Sequence, residues 1–153
     1  GPTVIVDYAH KPDALEKLLH AVRDLAARKK IVVIFGCGGD RDKDKRPKMG
    51  GISTALADFT ILTSDNPRSE QPESILDDIE RGVKGDKYRR MTDRREAIAR
   101  TIDEASDDDV IVIAGKGHET YQVVGDQIVH FDDREEAELA LKKRHEKAMS
   151  KSV

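Results

Sequence analysis

The chain has 153 residues with a formal net charge of −3, and 37% of them are charged and 4% aromatic. This length suits a single domain with a substantial core, and the net charge excludes the strongly basic character of many nucleic-acid-binding domains. A single cysteine excludes an internal disulfide, and the lack of a secretory signal and of an apolar run of roughly 20 residues favours a cytoplasmic protein with no nucleic-acid or membrane partner.

The first part of the chain alternates between strand and helix patterns. Residues 4–7 are a short β-branched run, which predicts a strand. In residues 13–27 the apolar side chains recur at helical spacing, which predicts an amphipathic helix. A second strand pattern at 31–35 and a helix pattern at 48–57, opened by Pro47, follow it.

The same alternation continues to residue 114. An apolar strand pattern at 59–63 leads to a predicted helix at 72–83, and a weaker strand pattern at 88–91 leads to a helix at 94–105. Residues 110–114 are the fifth predicted strand. Alternation of this kind favours a mostly parallel sheet with helices on both faces.

The pattern changes after residue 114. Residues 121–124 and 127–131 flank a Gly-Asp turn and predict a β-hairpin, which we expect to add one antiparallel edge strand to the sheet. A charged helix pattern covers residues 133–147. The predicted fold is an α/β, Rossmann-like three-layer sandwich with about six strands. Since no linker interrupts it, we expect one domain over residues 1–153, and the start without methionine predicts a piece of a longer protein.

Chemically distinctive residues follow four of the predicted strands, in the segments 7–12, 36–42, 65–68 and 115–119. In a parallel sheet these segments meet at one edge, which is where open α/β folds bind ligands. Each segment alone is also explained as an ordinary turn, because glycine, asparagine and proline favour turns. Their concentration at one edge favours a binding site.

The run Asp65-Asn66-Pro67-Arg68 indicates the class of ligand. Asp65 can bind an ammonium group, and Arg68 can bind a carboxylate through two parallel hydrogen bonds. Asn66 can both donate and accept. A ligand that carries an ammonium and a carboxylate fits this set, so the sequence predicts an amino-acid site.

Other kinds of site are disfavoured. Gly36-Cys37-Gly38 follows a strand as in dinucleotide-binding loops, but Arg41 stands where the third glycine of that motif belongs. No Walker A loop for ATP phosphates is present, and no group of histidines and cysteines has zinc spacing. The usual sequence motifs for nucleotide phosphates and for zinc are therefore missing.

Taken together, the four loops resemble the C-terminal domain of the Mur ligases. The resemblance rests on ordered motifs at residues 7–13, 36–42 with 45–47, 65–68 and 115–119. Within the family they match the type that adds meso-diaminopimelate, MurE. The resemblance implies an enzyme of bacterial peptidoglycan synthesis: ATP phosphorylates the D-glutamate carboxylate of UDP-MurNAc-L-Ala-D-Glu, and the incoming amino acid attacks the acyl phosphate.

The resemblance also implies partners beyond this chain. An N-terminal domain binds the UDP-sugar peptide, and a central domain carries the P-loop, a carbamylated lysine and most ligands of Mg²⁺. The C-terminal domain binds the amino acid and closes over ATP. We therefore expect no catalytic residue and no metal ligand within these 153 residues, and no turnover by the chain alone.

By motif position, the resemblance assigns residues to two ligands. Arg68, helped by Arg41, would pair with the distal carboxylate of diaminopimelate. Its amino groups would be held by Asp65, Asn66 and Glu119, and Gly115 would offer a backbone contact. The complete set for the amino acid is Arg41, Asp65, Asn66, Arg68, Gly115 and Glu119. The set for the nucleotide is Asp7, Tyr8, His10, Lys116 and His118.

Two other classes of function stay open. A lysine-adding or folylpolyglutamate-type ligase would share the fold, but lysine has no distal carboxylate to pair with Arg68. The second alternative is a non-catalytic α/β binding module, which a stand-alone gene with its own start methionine would indicate.

Overall fold

A central sheet of five parallel strands organises the protein, whose computed structural model describes residues 1–151. The strands are β1 Thr3–Asp7, β2 Ile31–Phe35, β3 Phe59–Leu62, β4 Tyr88–Arg90 and β5 Val110–Ala114. They lie in the order β1-β5-β2-β3-β4, and Val112 of β5 is opposite Ile5 on one side and Val33 on the other. Since all five run in the same direction, their carboxyl ends lie at one edge.

Helices cover both faces of this sheet, as the sequence predicts. They are α1 Pro12–Ala26, α2 Lys45–Leu56, α3 Pro72–Glu80, α4 Arg94–Glu104 and α5 Asp133–Lys151. The first three pack on one face, where Leu19, Met49 and Ile79 are buried against the sheet, and α4 and α5 pack on the other. The expected three-layer α/β architecture is therefore confirmed.

Strand β2 lies near the middle of the sheet and is buried on both sides. Val33 and Phe35 point into the core under α1 to α3, while Val32 and Ile34 point into the core under α4 and α5. Successive side chains of a strand face opposite sides, so a strand covered on both faces is apolar throughout. This explains the unbroken apolar sequence of β2.

The predicted hairpin is present, but it does not extend the central sheet. Strands β6 Tyr121–Val124 and β7 Gln127–His130 form a separate two-stranded antiparallel sheet, and Val124 makes one isolated parallel bridge to Arg68. The central sheet thus has five strands rather than about six, and no antiparallel edge strand. The reason is a tertiary contact: the Arg68 N–H donates to the Val123 carbonyl at 3.0 Å, and the Gly125 N–H donates to the Arg68 carbonyl at 2.7 Å. These bonds hold the hairpin against the loop that follows β3.

Some helix ends differ from the sequence pattern. Helix α2 begins at Lys45, so Pro47 lies inside its first turn, and α3 ends at Glu80. Helix α4 begins as expected, because the Asp93 side chain accepts a hydrogen bond from the Glu96 N–H. Within residues 1–151, no helix combines the length and the apolar character that crossing a membrane requires.

Candidate ligand-binding site

A cleft of about 1050 Å³ lies at the carboxyl edge of the central sheet. The four loops identified in the sequence meet there. All six residues predicted to bind the amino acid line this cleft, namely Arg41, Asp65, Asn66, Arg68, Gly115 and Glu119. Of the residues predicted to bind the nucleotide, Tyr8 and His10 line it as well.

Two of these loops lie in direct backbone contact. The Gly39 N–H donates to the Asn66 carbonyl at 2.8 Å, and Arg68 Nη1 donates to the Gly39 carbonyl at 2.9 Å. A Cβ atom on Gly39 would lie 1.8 Å from the Pro67 carbonyl oxygen, which is far inside van der Waals contact. Glycine is therefore required at this position for the close approach of the two loops. This packing requirement explains a glycine in the loop without a dinucleotide-binding role.

Arg68 occupies a strained backbone conformation, with φ at 53°. Such a conformation persists where surrounding contacts determine it, and both backbone polar groups of Arg68 are bonded to the hairpin as described above. Its guanidinium makes one hydrogen bond within residues 1–151, to Gly39. The remaining donors are available to a ligand. Arg41 is exposed and lies next to Arg68, since both side chains are close to Gly38, and it donates to the Asp40 carbonyl at 2.9 Å.

The orientation of the Asn66 amide follows from its partners. Its Oδ1 atom accepts from the Val123 N–H at 3.0 Å and from the ammonium of Lys116 at 3.2 Å. Both partners can only donate, so the oxygen must face them and the NH₂ group points elsewhere. The amide nitrogen has no hydrogen-bond partner in the described part of the chain. Asn66 therefore offers a donor, which matches a carboxylate better than the amino group expected from the resemblance.

Two carboxylates close to Asn66 give the cleft acceptors as well. Asp65 and Glu119 are carboxylates with partly buried side chains, 12% and 26% exposed. The Asp65 side chain makes no hydrogen bond within residues 1–151, and its Oδ1 atom is buried. Gly115, with φ at 119°, lies next to the Asp65 carboxylate and lines the cleft. Glu119 Oε1 accepts from Lys116 at 3.5 Å, so the acceptors left for a ligand are Oδ2 of Asp65 and the second oxygen of Glu119, and these favour an ammonium group.

The predicted nucleotide residues are only partly brought together. The Tyr8 ring is half exposed and packs edge-on against His10, with ring centres 4.6 Å apart. Asp7 accepts from the Ala9 N–H at 2.9 Å and does not line the cleft. Lys116 is fully buried, and His118 is exposed outside the cleft lining. For Asp7, Lys116 and His118, a nucleotide contact stays a prediction that this geometry does not support.

Four lysines line the cleft near the starts of α1 and α2, and the sequence analysis assigned no role to them. These residues are Lys11, Lys17, Lys45 and Lys48. The ammonium of Lys45 donates to the His10 carbonyl at 2.8 Å, which ties the start of α2 to the loop after β1. Lysines on helices are usually solvated, so their number alone is no signal. The available signal was their position at or near the N-terminal ends of α1 and α2, the two helices that follow site loops.

The buried side chain of Arg46 holds the glycine-rich loop in place through hydrogen bonds. Arg46 donates to the Gly38 carbonyl at 2.9 Å, to Glu70 at 2.7 and 3.1 Å, and to Asp78 at 2.9 Å. The hydrogen bonds from Arg46 lower the pKa of Glu70 to about 2. Glu70 in turn accepts from the Asp40 N–H at 2.6 Å. The cluster of Arg46, Glu70 and Asp78 therefore bonds the glycine-rich loop at two points, the Gly38 carbonyl and the Asp40 N–H.

The site contains no activated thiol and no metal cluster. Burial raises the pKa of Cys37 to about 12, so its thiol is protonated at neutral pH. Among residues 1–151, no group of three or more histidine, cysteine, aspartate or glutamate side chains could hold a metal ion.

The sequence of the chain is similar to that of known proteins. A family model described as Mur ligase, glutamate ligase domain, matches residues 1–117. A protein of Halalkalibacterium halodurans named UDP-N-acetylmuramoyl-L-alanyl-D-glutamate–2,6-diaminopimelate ligase is 57% identical over 142 residues, which cover 93% of this chain and 29% of that protein. A protein of Clostridium tetani with the same name is 56% identical over 135 residues, which cover 88% and 28%.

The fold comparison gives the same result. A solved structure titled as a ligase of that name superposes with a TM-score of 0.88 at 43% identity, covering 93% of this chain and 29% of the other. The chain therefore spans less than a third of the length of these relatives.

Proposed function

Because the chain belongs to the Mur ligase family, we propose that it is the C-terminal domain of an ATP-dependent ligase that adds meso-diaminopimelate to UDP-MurNAc-L-Ala-D-Glu. In this proposal the enzyme acts in peptidoglycan synthesis in the cytoplasm, and its N-terminal and central domains are the partners of this chain. The names of the relatives support the reaction. When bound in the complete enzyme, ATP with Mg²⁺ supplies the phosphoryl group that activates the D-glutamate carboxylate.

The observation that carries the proposal is that unpaired donors and carboxylates line the same cleft. Arg68 and the Asn66 amide offer donors, and Asp65 and Glu119 offer carboxylate oxygens. An amino acid with a distal carboxylate places its charges to match both groups. This chain would bind and orient the amino acid so that its reacting amino group faces the activated carboxylate.

Diaminopimelate fits this cleft better than lysine does. With lysine bound, the guanidinium of Arg68 would have no carboxylate partner, although it is partly buried. A site built around such a group rejects the analogue that lacks the partner, by about 10⁴-fold in favourable cases. The lysine-adding alternative is therefore disfavoured on chemical grounds.

The nucleotide part of the proposal rests on the wall of the cleft formed by the loop after β1 and the starts of α1 and α2. Tyr8 and His10 present an aromatic pair to the cleft. The four lysines described above outnumber the carboxylates of Asp13 and Asp42, which also line the cleft near the starts of α1 and α2. Positive charge favours the phosphates of a nucleotide, and an exposed ring favours a base or ribose. We propose that this wall closes over ATP held by the central domain.

A titration of the ¹⁵N-labelled chain tests the proposal. We expect meso-diaminopimelate to shift the amide signals of the amino-acid set, and L-lysine at equal concentration to leave them unchanged. Equal shifts with both amino acids would remove Arg68 as the discriminating residue. The absence of any shift would contradict binding by this chain alone.

A further inference from the structure

Lys116 lies at the centre of the site but is not part of its surface. Its side chain is fully buried and does not line the cleft. The neighbouring glycines, Gly115 with φ at 119° and Gly117 with φ at 53°, adopt backbone conformations that turn the lysine inward. A Cβ on Gly117 would lie 2.8 Å from the Cβ of Tyr8, so the loop also needs glycine there for space.

All three protons of the Lys116 ammonium are committed within the protein. Nζ donates to the Tyr121 carbonyl at 2.5 Å, to Asn66 Oδ1 at 3.2 Å and to Glu119 Oε1 at 3.5 Å. An ammonium has three donors and no acceptor, so no donor is left for a nucleotide phosphate. The Asp65 carboxylate lies 3.6 Å away as an ion pair without a hydrogen bond.

Three of these four partners, Asn66, Glu119 and Asp65, belong to the set predicted to bind the amino acid and line the cleft. The bond to Asn66 holds its oxygen inward, so its NH₂ group is left for the ligand. The ion pair with Glu119 holds one oxygen of that carboxylate, and the bond to Tyr121 attaches the first residue of β6. The ammonium also lies 5.5 Å from the centre of the Tyr121 ring.

We propose that Lys116 is a positioning residue of the amino-acid site, which orients Asn66 and Glu119 and anchors the hairpin that supports Arg68. This inference rests on the proposed function for its ligand, and it replaces nucleotide contact as the role of Lys116. A buried cation next to two carboxylates also offsets their mutual electrostatic repulsion.

The test compares Lys116→Met with Lys116→Arg in the chain. Met removes the three donors at similar length, and Arg keeps the charge and the donors. We expect Lys116→Met to weaken binding of meso-diaminopimelate by about tenfold or more, since bonds to charged groups are lost. Lys116→Arg should recover part of this affinity. Thermal unfolding of each variant establishes that it is folded at the temperature used.

Two further measurements separate the possible outcomes. In the chain without ligand, we expect Lys116→Met to move the NMR signals of the Asn66 side-chain amide and to speed hydrogen exchange at the Val123 amide. Unchanged signals at both positions would overturn the proposal whatever the ligand does.

Binding of ADP should be unchanged, and a loss of ADP affinity with normal diaminopimelate binding would instead make Lys116 a nucleotide ligand. If the unsubstituted chain binds no diaminopimelate, the proposed function of the isolated chain fails, while the measurements without ligand still decide the positioning role.

Discussion

Arg94 and Asp133 form an ion pair in which both side chains are completely buried. Nε and Nη2 of Arg94 lie 2.7 Å from the two carboxylate oxygens of Asp133. The same guanidinium donates to the carbonyls of Ser64 at 3.0 Å and Ala114 at 3.3 Å. These carbonyls directly precede Asp65 and Gly115, so the pair joins the starts of two site loops to α5. Burial acts to lower the pKa of Arg94, but Asp133 outweighs it and the pKa is raised.

Removing one member of this buried ion pair should lower the stability of the protein. We expect Arg94→Ala to lower the free energy of unfolding by about 3–5 kcal/mol, because a buried carboxylate is left without its partner. Arg95→Ala is the matched control, since Arg95 is largely exposed and pairs with Glu136 at 3.0 Å. The control should cost about 1 kcal/mol or less. Urea unfolding followed by circular dichroism measures both values, and equal losses would contradict the importance of the buried pair.

Arg68 should control affinity for the distal carboxylate. We expect Arg68→Ala to weaken binding of meso-diaminopimelate by about 2–5 kcal/mol, the range for truncating one member of a desolvated charge pair. Isothermal titration calorimetry measures this difference. Arg28→Ala removes an exposed arginine outside the cleft and should leave the affinity unchanged. Unchanged affinity in Arg68→Ala would show that another group binds the distal carboxylate.

Glu70 should make the stability of the protein depend on acidic pH. Hydrogen bonds from Arg46 lower its pKa from 4.5 to about 2 in the folded chain. A carboxylate with a depressed folded pKa contributes stability above its unfolded pKa and loses it as pH falls through the folded value. The contribution of Glu70 is therefore complete above pH 4.5 and declines between pH 4.5 and 2.

The comparison of Glu70→Gln with the unsubstituted chain measures this effect. We expect the difference in free energy of unfolding to be largest near neutral pH and to shrink as pH falls below 4.5. Urea unfolding at a series of pH values gives the difference directly. A difference that stays constant from pH 7 to pH 3 would assign the contribution to packing rather than to charge.

The predicted elements were close to the observed ones because local patterns encode them. The apolar runs of β2 and β5 indicate strands buried on both faces, and the spacing of apolar residues in α1 indicates a helix with one covered side. The convergence of four loops at one edge follows from the parallel sheet itself. The amino-acid set was therefore brought to one cleft as expected, although what each member binds stays a prediction.

The sequence by itself thus determined the order of strands and helices along the chain, the parallel sheet and the edge at which the polar loops meet. These features depend on apolar spacing and turn residues, which act over short stretches of chain. Only the tertiary structure decided how the polar groups pair. Lys116 is buried against Asn66, fifty positions away in sequence, and the hairpin lies against Arg68 instead of the sheet edge. Such pairings depend on which donor and acceptor meet when distant segments fold together. A lysine or an asparagine has the same local pattern whether it faces solvent, a ligand or a buried partner.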